Sequence, residues 1–127
     1  LGDLMGGASI THTVGPEHTA RAVGSGDVDV LATPVLLAWC EEATCDALSL
    51  GHEETSVGAR VEIEHLIPSP IGTTIIANAY LIARDGRLVT FRVEAVDTSG
   101  ALVGSGQVRR IVVNRDRFLA RVRPVED

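Results

Sequence analysis

The sequence has no lysine, and its aromatic residues are one tryptophan, one tyrosine and two phenylalanines in a chain of 127 residues. A core must therefore be built from valine, isoleucine, leucine and alanine. No apolar run approaches the roughly 18 residues of a membrane-spanning helix, so we expect no membrane partner. The N-terminal segment LGDLMGGAS lacks the basic and apolar regions of a secretory signal, which predicts a cytoplasmic protein.

Basic residues are fewer than acidic ones, 11 against 17, which gives a formal net charge of −6. This balance argues against non-specific nucleic-acid binding, so no nucleic-acid partner is expected. All eleven basic residues are arginines, and six of them lie between Arg109 and Arg123. This arginine-rich segment either binds an anion or forms a solvated strand edge, and the sequence leaves both interpretations open.

The two cysteines, Cys40 and Cys45, give no sign of a disulfide or a metal site. They lie five residues apart on a predicted helix, where a rotation of about 100° per residue points them in different directions. No CxxC or Cys/His spacing typical of zinc is present, so we predict no metal and two buried free thiols in a reducing compartment. A glycine-rich phosphate loop and a GxSxG elbow are absent too.

A nearly continuous apolar stretch, LATPVLLAWCEEATCDALSL from Leu31 to Leu50, predicts the central element of the fold. We expect Thr33 to be the N-cap, Pro34 the first helical residue and Gly51 the residue after the C-cap. A helix that is apolar round most of its circumference is buried. Carboxylates are rare on buried helices, so the presence of glutamates on this one needs an explanation.

Period-two patterns predict the strands, which cover residues 8–14, 56–67, 73–83, 88–96 and 101–113. Pro68-Ser69-Pro70 ends the second strand, and Asp85-Gly86 is a hairpin signal. We expect one strand, one helix and then four hairpin-linked strands, forming a single α+β domain over residues 1–127. In that domain a curved five-stranded antiparallel sheet wraps around one long central helix. A free sheet edge favours pairing with a second copy, which predicts a homodimer.

The two adjacent glutamates of the helix differ in their surroundings. Glu41 lies on an apolar stripe, whereas Glu42 is four residues before Asp46 and faces water. Burial disfavours an ionised carboxylate, which raises its pKa and suits it to general acid–base or nucleophilic work. The alternative is that Glu41 reaches solvent or pairs with an arginine.

Thr33 and His65 are the other candidates for chemistry. Capping alone explains a threonine at a helix start, but free N–H groups there could also hold a developing oxyanion beside the hydroxyl. His65 lies on the apolar face of its strand, where a structural, hydrogen-bonded histidine is the plainer interpretation. The other three histidines, His12, His18 and His52, lie in polar or weakly patterned surroundings and give no functional signal.

The chain resembles the fluoroacetyl-CoA thioesterase group of the hotdog-fold thioesterases from about Thr11 to Val122. The resemblance rests, in chain order, on Ala32-Thr33, Glu41, Val57-Gly58, His65, Pro70-x-Gly72, Ser105-Gly106, Arg110, and Phe118 with Ala120 and Val122. Each motif is weak alone, and the order and spacing together are fairly specific.

This resemblance implies a hotdog fold, a dimer with sites at the interface, and Thr33, Glu41 and His65 as the catalytic set. The residue matching Gly58 lies near the acyl group, and the one matching Arg110 lies near the active site or the CoA. No cofactor is implied, since coenzyme A enters as part of the substrate. Eight helical residues span about 12 Å, so Thr33 must fold back toward Glu41 or the site must draw on both subunits.

One departure bears on the substrate. The fluoroacetate-specific enzyme places phenylalanines in a lid just before its catalytic threonine, whereas residues 20–32 contain no aromatic. We therefore expect a hydrolase of small or medium acyl-CoA thioesters that is not fluoroacetyl-selective. A non-catalytic acyl-CoA or small-ligand binding protein is the alternative, and acyl-CoA hydration is a third possibility. Acyl length, CoA against acyl-carrier protein, and an acyl-enzyme against direct water attack stay open.

Overall fold

The computed structural model describes residues 6–125, so the first five residues of the N-terminal segment discussed above, and the last two of the chain, lie outside it. The strands are β1 (Gly7–Thr13), β2 (Glu54–His65), β3 (Thr74–Asp85), β4 (Leu88–Asp97) and β5 (Leu102–Asn114). The helices are a short 3-10 turn (Pro16–His18), α1 (Ala20–Val23), α2 (Thr33–Asp46) and α3 (Arg115–Leu119).

The strands form one five-stranded sheet in the order β1-β3-β4-β5-β2, and all neighbouring pairs are antiparallel. One face of this sheet packs on α2, which contacts all five strands. The predicted α+β arrangement of a five-stranded antiparallel sheet on one central helix is thus confirmed. β1 and β2 are the two edge strands, and β2 carries two of the candidate site residues.

The prediction of four hairpin-linked strands is wrong for β2, which pairs with β5 and not with β3. The chain after β2 instead crosses past the start of α2, where the N–H of Leu31 donates to the carbonyl of Ser69 at 2.8 Å. Pro68 and Pro70 have no N–H, so this segment cannot extend the strand ladder. In the β3–β4 hairpin Asp85 pairs with Leu88, which places the two-residue turn one position later than predicted.

The start of α2 also differs from the prediction. Ala32, in an extended conformation, is the N-cap, while Thr33 and Pro34 are the first two helical residues. Thr33 does not cap the helix because its hydroxyl is engaged with His65, as described below.

The end of α2 comes earlier than predicted. The helix stops at Asp46 with Ala47 as C-cap, so Gly51 does not terminate it. Leu48 and Leu50 continue in a non-helical segment and pack against the core. Burial of these two leucines wins over helical continuation, because tertiary packing outweighs intrinsic propensity.

The core lies between α2 and the sheet and is built from small and branched side chains, as the composition predicts. Leu36 and Cys40 of α2 are buried against Val93 and Phe91 of β4 and their neighbours. Burial raises the pKa of the Cys40 thiol to about 11. Cys45, in contrast, is exposed, so the prediction of two buried thiols is wrong for this residue, which lies on the uncovered side of α2. Neither cysteine is in a disulfide.

No helix within residues 6–125 is long and apolar enough to cross a membrane.

Candidate active site

The first pair of candidate residues meets where α2 begins and β2 ends. Thr33 Oγ1 lies 2.8 Å from His65 Nδ1, which is a hydrogen bond between residues 32 positions apart in the chain. α2 runs antiparallel to β2, so the first turn of the helix lies over the last residue of the strand. The structure therefore brings Thr33 and His65 together, as a functional pair requires.

This pair lines a cleft of about 270 Å³. The other lining residues are Ala20, Ser25, Val30, Leu31, Leu66, Ile67 and Pro68. Most of these walls are apolar, so a polar group that enters the cleft meets few hydrogen-bonding partners besides Thr33 and His65. A small acyl group has the matching size and polarity.

The helix start offers one backbone donor, fewer than predicted. The N–H groups of Val35 and Leu36 both donate to the carbonyl of Ala32, at 3.1 and 3.0 Å, and Pro34 has none. Within the described part of the chain, the Thr33 N–H is thus the donor of this turn that has no backbone acceptor. It lies on the same residue as the hydroxyl, so Thr33, which lines the cleft, carries both groups.

The imidazole of His65 is poised to accept a proton. Burial lowers its pKa below the usual 6.5, and a weaker interaction with the backbone of Ile67 acts in the opposite direction. If the Thr33 hydroxyl donates to Nδ1, the ring proton lies on Nε2. Nε2 is buried and has no hydrogen-bond partner among residues 6–125.

The second group of candidates surrounds Glu41. Arg110 NH1 donates to Glu41 Oε2 at 3.3 Å, and the guanidinium also donates from Nε to the Ser56 hydroxyl at 2.8 Å and from NH2 to the Ser56 carbonyl at 3.2 Å. The side chain of Arg110 is 8% exposed and that of Glu41 is 31% exposed. Of the two interpretations of Glu41, pairing with an arginine is the one found, and a buried unpaired carboxylate is not.

Gly58 makes room for that carboxylate. It lies directly opposite Arg110 in the β2–β5 pairing, next to a bulge between Gly58 and Arg60. A Cβ atom on Gly58 would lie 2.5 Å from Glu41 Oε2 and 3.6 Å from Arg110 NH1. Glycine at this position therefore lets the carboxylate approach closely, and backbone conformation is not the reason for it, because its φ angle is not positive.

Ser56 was missed by sequence reasoning, although it holds two of the three guanidinium hydrogen bonds. Its only sequence signal is the period of two along β2, which places Ser56 and Gly58 on the same face. That signal becomes informative once the pairing of β2 with β5 is known, because Gly58 then stands opposite Arg110.

The five predicted residues thus form two separate groups, one of two residues and one of three, and not one cluster. Thr33 contacts His65, and Glu41 contacts Gly58 and Arg110. The eight residues between Thr33 and Glu41 on an unbroken helix correspond to about 12 Å. Thr33 does not fold back toward Glu41, so the three proposed catalytic residues do not meet within one chain.

Glu42 and the histidine His12 form a separate surface group. His12 Nε2 lies 2.8 Å from Glu42 Oε1, and the ring stacks on Trp39 with centroids 4.6 Å apart. Glu42 is exposed, as predicted. No group of three or more histidine, cysteine or acidic side chains that could hold a metal ion occurs between residues 6 and 125.

A five-stranded antiparallel sheet packed on one central helix is the architecture of the hotdog-fold thioesterases, which are thioester hydrolases. The model of the fluoroacetyl-CoA-specific thioesterase family matches residues 14–116. The curated fluoroacetyl-CoA thioesterase of Streptantibioticus cattleyicolor is 32% identical over 97 residues, which cover 75% of this chain and 69% of that protein. The chain belongs to the fluoroacetyl-CoA-specific thioesterase family.

Solved structures agree with this assignment. The structure of a fluoroacetyl-CoA thioesterase superposes with a TM-score of 0.87 at 27% identity and covers 97% of both chains. A hypothetical protein of Thermus thermophilus, described as a thioesterase superfamily member, gives a TM-score of 0.84 at 28% identity over 90% of this chain and 85% of its own. A threonine-to-serine mutant of the fluoroacetyl-CoA enzyme, solved with acetyl-CoA, gives a TM-score of 0.85 at 26% identity. The match covers 92% of this chain and 94% of that one. The predicted hotdog fold and family resemblance are confirmed.

Proposed function

We propose that this protein hydrolyses small or medium acyl-CoA thioesters to the free acid and CoA, without selectivity for fluoroacetyl-CoA. The observation that carries the proposal is the hydrogen bond of 2.8 Å between Thr33 Oγ1 and His65 Nδ1 at an apolar cleft. Family membership supports thioester chemistry, and a relative solved with acetyl-CoA supports a CoA-linked substrate. Coenzyme A is then part of the substrate, and the proposal uses no other cofactor and no metal.

In the proposed reaction the Thr33 N–H holds the carbonyl oxygen of the thioester as negative charge develops on it. A water molecule, or the Thr33 hydroxyl, adds to the carbonyl carbon. His65, kept neutral at pH 7 by its lowered pKa, takes up the proton that this nucleophile loses. The carbon–sulfur bond then breaks and the proton passes to the leaving sulfur. If water attacked, this step gives the free acid; if the Thr33 hydroxyl attacked, water then hydrolyses the acyl-Thr33 ester, which releases the acid and restores the hydroxyl. Glu41 acts as general base for water or as an alternative nucleophile.

We further propose that the working unit is a homodimer whose sites combine Thr33 and His65 of one subunit with Glu41 of the other. About 12 Å of helix separates Thr33 from Glu41 in one chain, and His65 Nε2 has no partner among the described residues. β2, which carries His65 and Gly58, is an edge strand. The half-buried apolar side chains of Leu37 and Val61 line a hollow at this edge that a second copy would cover.

Mixed dimers test this arrangement. His65→Ala and Glu41→Gln are each expected to lose most of the activity, but a heterodimer of the two contains one site with both residues intact if the site is shared between subunits. A random mixture is half heterodimer, so we expect about a quarter of the wild-type activity to return. No recovery in dimers shown to exchange subunits, or a monomer by light scattering, would contradict the shared site.

A substrate panel tests the acyl preference. The segment from 20 to 32 lines part of the cleft through Ala20, Ser25, Val30 and Leu31, and none of its residues is aromatic. We expect acetyl-, propionyl- and butyryl-CoA to be hydrolysed with kcat/KM at least as high as that for fluoroacetyl-CoA. A preference of a hundredfold or more for fluoroacetyl-CoA would contradict the proposal.

The alternative is a non-catalytic acyl-CoA or small-ligand binding protein. The pairing of Glu41 with Arg110 favours it, because an ion pair also serves a purely structural role. Binding of acyl-CoA without release of free thiol distinguishes this alternative from hydrolysis. The cytoplasmic location stays a prediction.

A further inference from the structure

A second cleft lies on the face of the sheet opposite α2, beneath α3. Its volume is about 350 Å³, and its walls carry three arginines. The main lining residues are Arg87, Arg117, Arg121, Phe118, Ile111 and Val113. Val112 is buried in the core on the α2 side, so its neighbours Ile111 and Val113 face the other way. The proposed reaction uses none of these residues, although the sequence singled out their arginine-rich segment.

The three arginines of this cleft have no acidic partner in the part of the chain that the structure describes. Among residues 6–125, no carboxylate lies within 4.0 Å of the guanidinium of Arg87, Arg117 or Arg121. Elsewhere on the surface, Arg21 and Arg92 pair with Asp29 and Glu94, respectively. Three arginines that form no ion pair with any residue between 6 and 125 thus converge on one concave surface of a chain whose net charge is −6. Such a local field concentrates anions.

Parts of this cleft are held in place by hydrogen bonds. Arg87 NH1 donates to the carbonyl of Val112 at 3.2 Å, and the N–H of Val112 donates back to the carbonyl of Arg87 at 2.9 Å. The side chain of Asn114 caps α3 by accepting the N–H of Arg117 at 2.9 Å. Arg87 is therefore fixed to the sheet, and the backbone of α3 is fixed above it.

The floor of the cleft is apolar. Ile111, Val113 and the half-buried ring of Phe118 form it, beneath the arginines. An apolar and aromatic floor with cationic walls suits a ligand that carries both a ring and phosphate groups. A simple inorganic anion would use the walls only.

The position of the cleft relates it to the second group of site residues. A hollow of about 460 Å³ extends from Ser56, which holds Arg110, to Arg115, the first residue of α3. Arg117, two residues further, lines the arginine cleft. Arg115 and Arg117 both belong to α3, so the hollow that begins at Ser56 and the arginine cleft each have a wall on this short helix.

We propose that the arginine cleft binds the phosphorylated adenosine end of the CoA substrate. This inference rests on the proposed function, and it adds the site for the part of the substrate that does not react. Guanidinium groups of Arg117 and Arg121 would bind phosphate oxygens, and the adenine ring would lie against Phe118.

Direct titration with 3′-phosphoadenosine 5′-phosphate tests the proposal, because this probe has the ring and phosphates without the thioester. Wild type is compared by calorimetry at low salt with Arg117→Ala/Arg121→Ala. A double variant of Arg21 and Arg92 to alanine removes the same charge where carboxylates already compensate it. We expect the cleft variant to bind at least about tenfold more weakly and the control to bind within about twofold of wild type. Added salt should weaken wild-type binding.

The outcomes separate this inference from the proposed function. Equal loss in both variants, no loss in the cleft variant, or no binding by wild type would overturn the cleft assignment, even if acyl-CoA is hydrolysed. Binding that depends on the cleft in a protein that hydrolyses no acyl-CoA would support the nucleotide site and refute the thioesterase. Equal affinity for inorganic phosphate and for the nucleotide probe would refute the role of the apolar floor.

Discussion

Replacing Gly58 by alanine tests the role of Glu41 without removing a charge. The new Cβ would lie 2.5 Å from Glu41 Oε2, whereas ordinary contacts of a Cβ begin at 3.4 Å. The carboxylate must therefore withdraw by about 0.9 Å, the difference between these two distances. A displacement of about 1 Å in a catalytic group costs roughly a hundredfold in rate. We expect kcat/KM for acyl-CoA to fall about 10- to 100-fold.

The stability of Gly58→Ala should change little. The φ angle of Gly58 is not positive, so alanine can adopt it, and the loss of unfolded-state freedom favours folding by about 0.4–1 kcal/mol. The displaced atom ends a flexible, partly exposed side chain that stays beside Arg110 after a shift of this size, so the stretched hydrogen bond costs about 0.5–1.5 kcal/mol. The two terms offset each other. Truncating Glu41 itself would be less informative, because it leaves the buried Arg110 guanidinium without a counter-charge.

The assay combines urea unfolding with steady-state hydrolysis. Gly51→Ala is the matched control, since its Cβ would meet no atom within 4 Å and its φ is not positive. We expect the control to keep wild-type stability and activity. Full activity in Gly58→Ala would refute the need for this carboxylate position. A loss of several kcal/mol in stability would instead show that the contact is structural.

Three further predictions concern single side chains. The pKa of His65 is lowered in the folded protein, so the unfolded chain takes up a proton first as the pH falls below about 6.5. The free energy of unfolding should therefore decrease between pH 7 and pH 5, and His65→Gln should reduce that slope; an unchanged slope would contradict the burial of this ring. Cys45 should react with a thiol reagent in the native protein, whereas Cys40, which is buried and has a pKa of about 11, should react only after unfolding. Rapid reaction of both thiols in the native protein would contradict this prediction. Ser56→Ala removes the acceptor of Arg110 Nε and should destabilise the protein by about 1–3 kcal/mol and lower kcat, with Ser56→Thr restoring both. Equal kcat in all three proteins would show that Ser56 does not position the Glu41–Arg110 pair.

The fold was largely predictable from local patterns. Alternating residues predict all five strands, and an apolar stretch with a helix-start signal predicts α2. The position of β2 was not predictable, because its pairing with β5 is set by contacts between residues far apart in the chain. The last turn of α2 was predicted wrongly because Leu48 and Leu50 are more stable packed in the core than on a continued helix.

The candidate site was predictable as a set of residues but not as an arrangement. Helix phase alone identifies Glu41, and strand phase identifies His65. Neither phase reveals that Glu41 contacts Arg110 whereas His65 contacts Thr33. The hydroxyl of Thr33 had two competing partners, the helix backbone and His65, and only the tertiary structure decides between them. Ser56 has no pattern of its own, since its importance comes from the guanidinium that it holds.

Release of free thiol from acyl-CoA by wild type and by His65→Ala tests the central claim most directly. The signal of the exposed Cys45 is recorded before substrate is added and is subtracted. We expect wild type to hydrolyse at least one small or medium acyl-CoA, and folded His65→Ala to be slower by about a hundredfold to ten-thousandfold, the usual contribution of a general base. No thiol release by folded wild type, or equal rates in the two proteins, would contradict that claim.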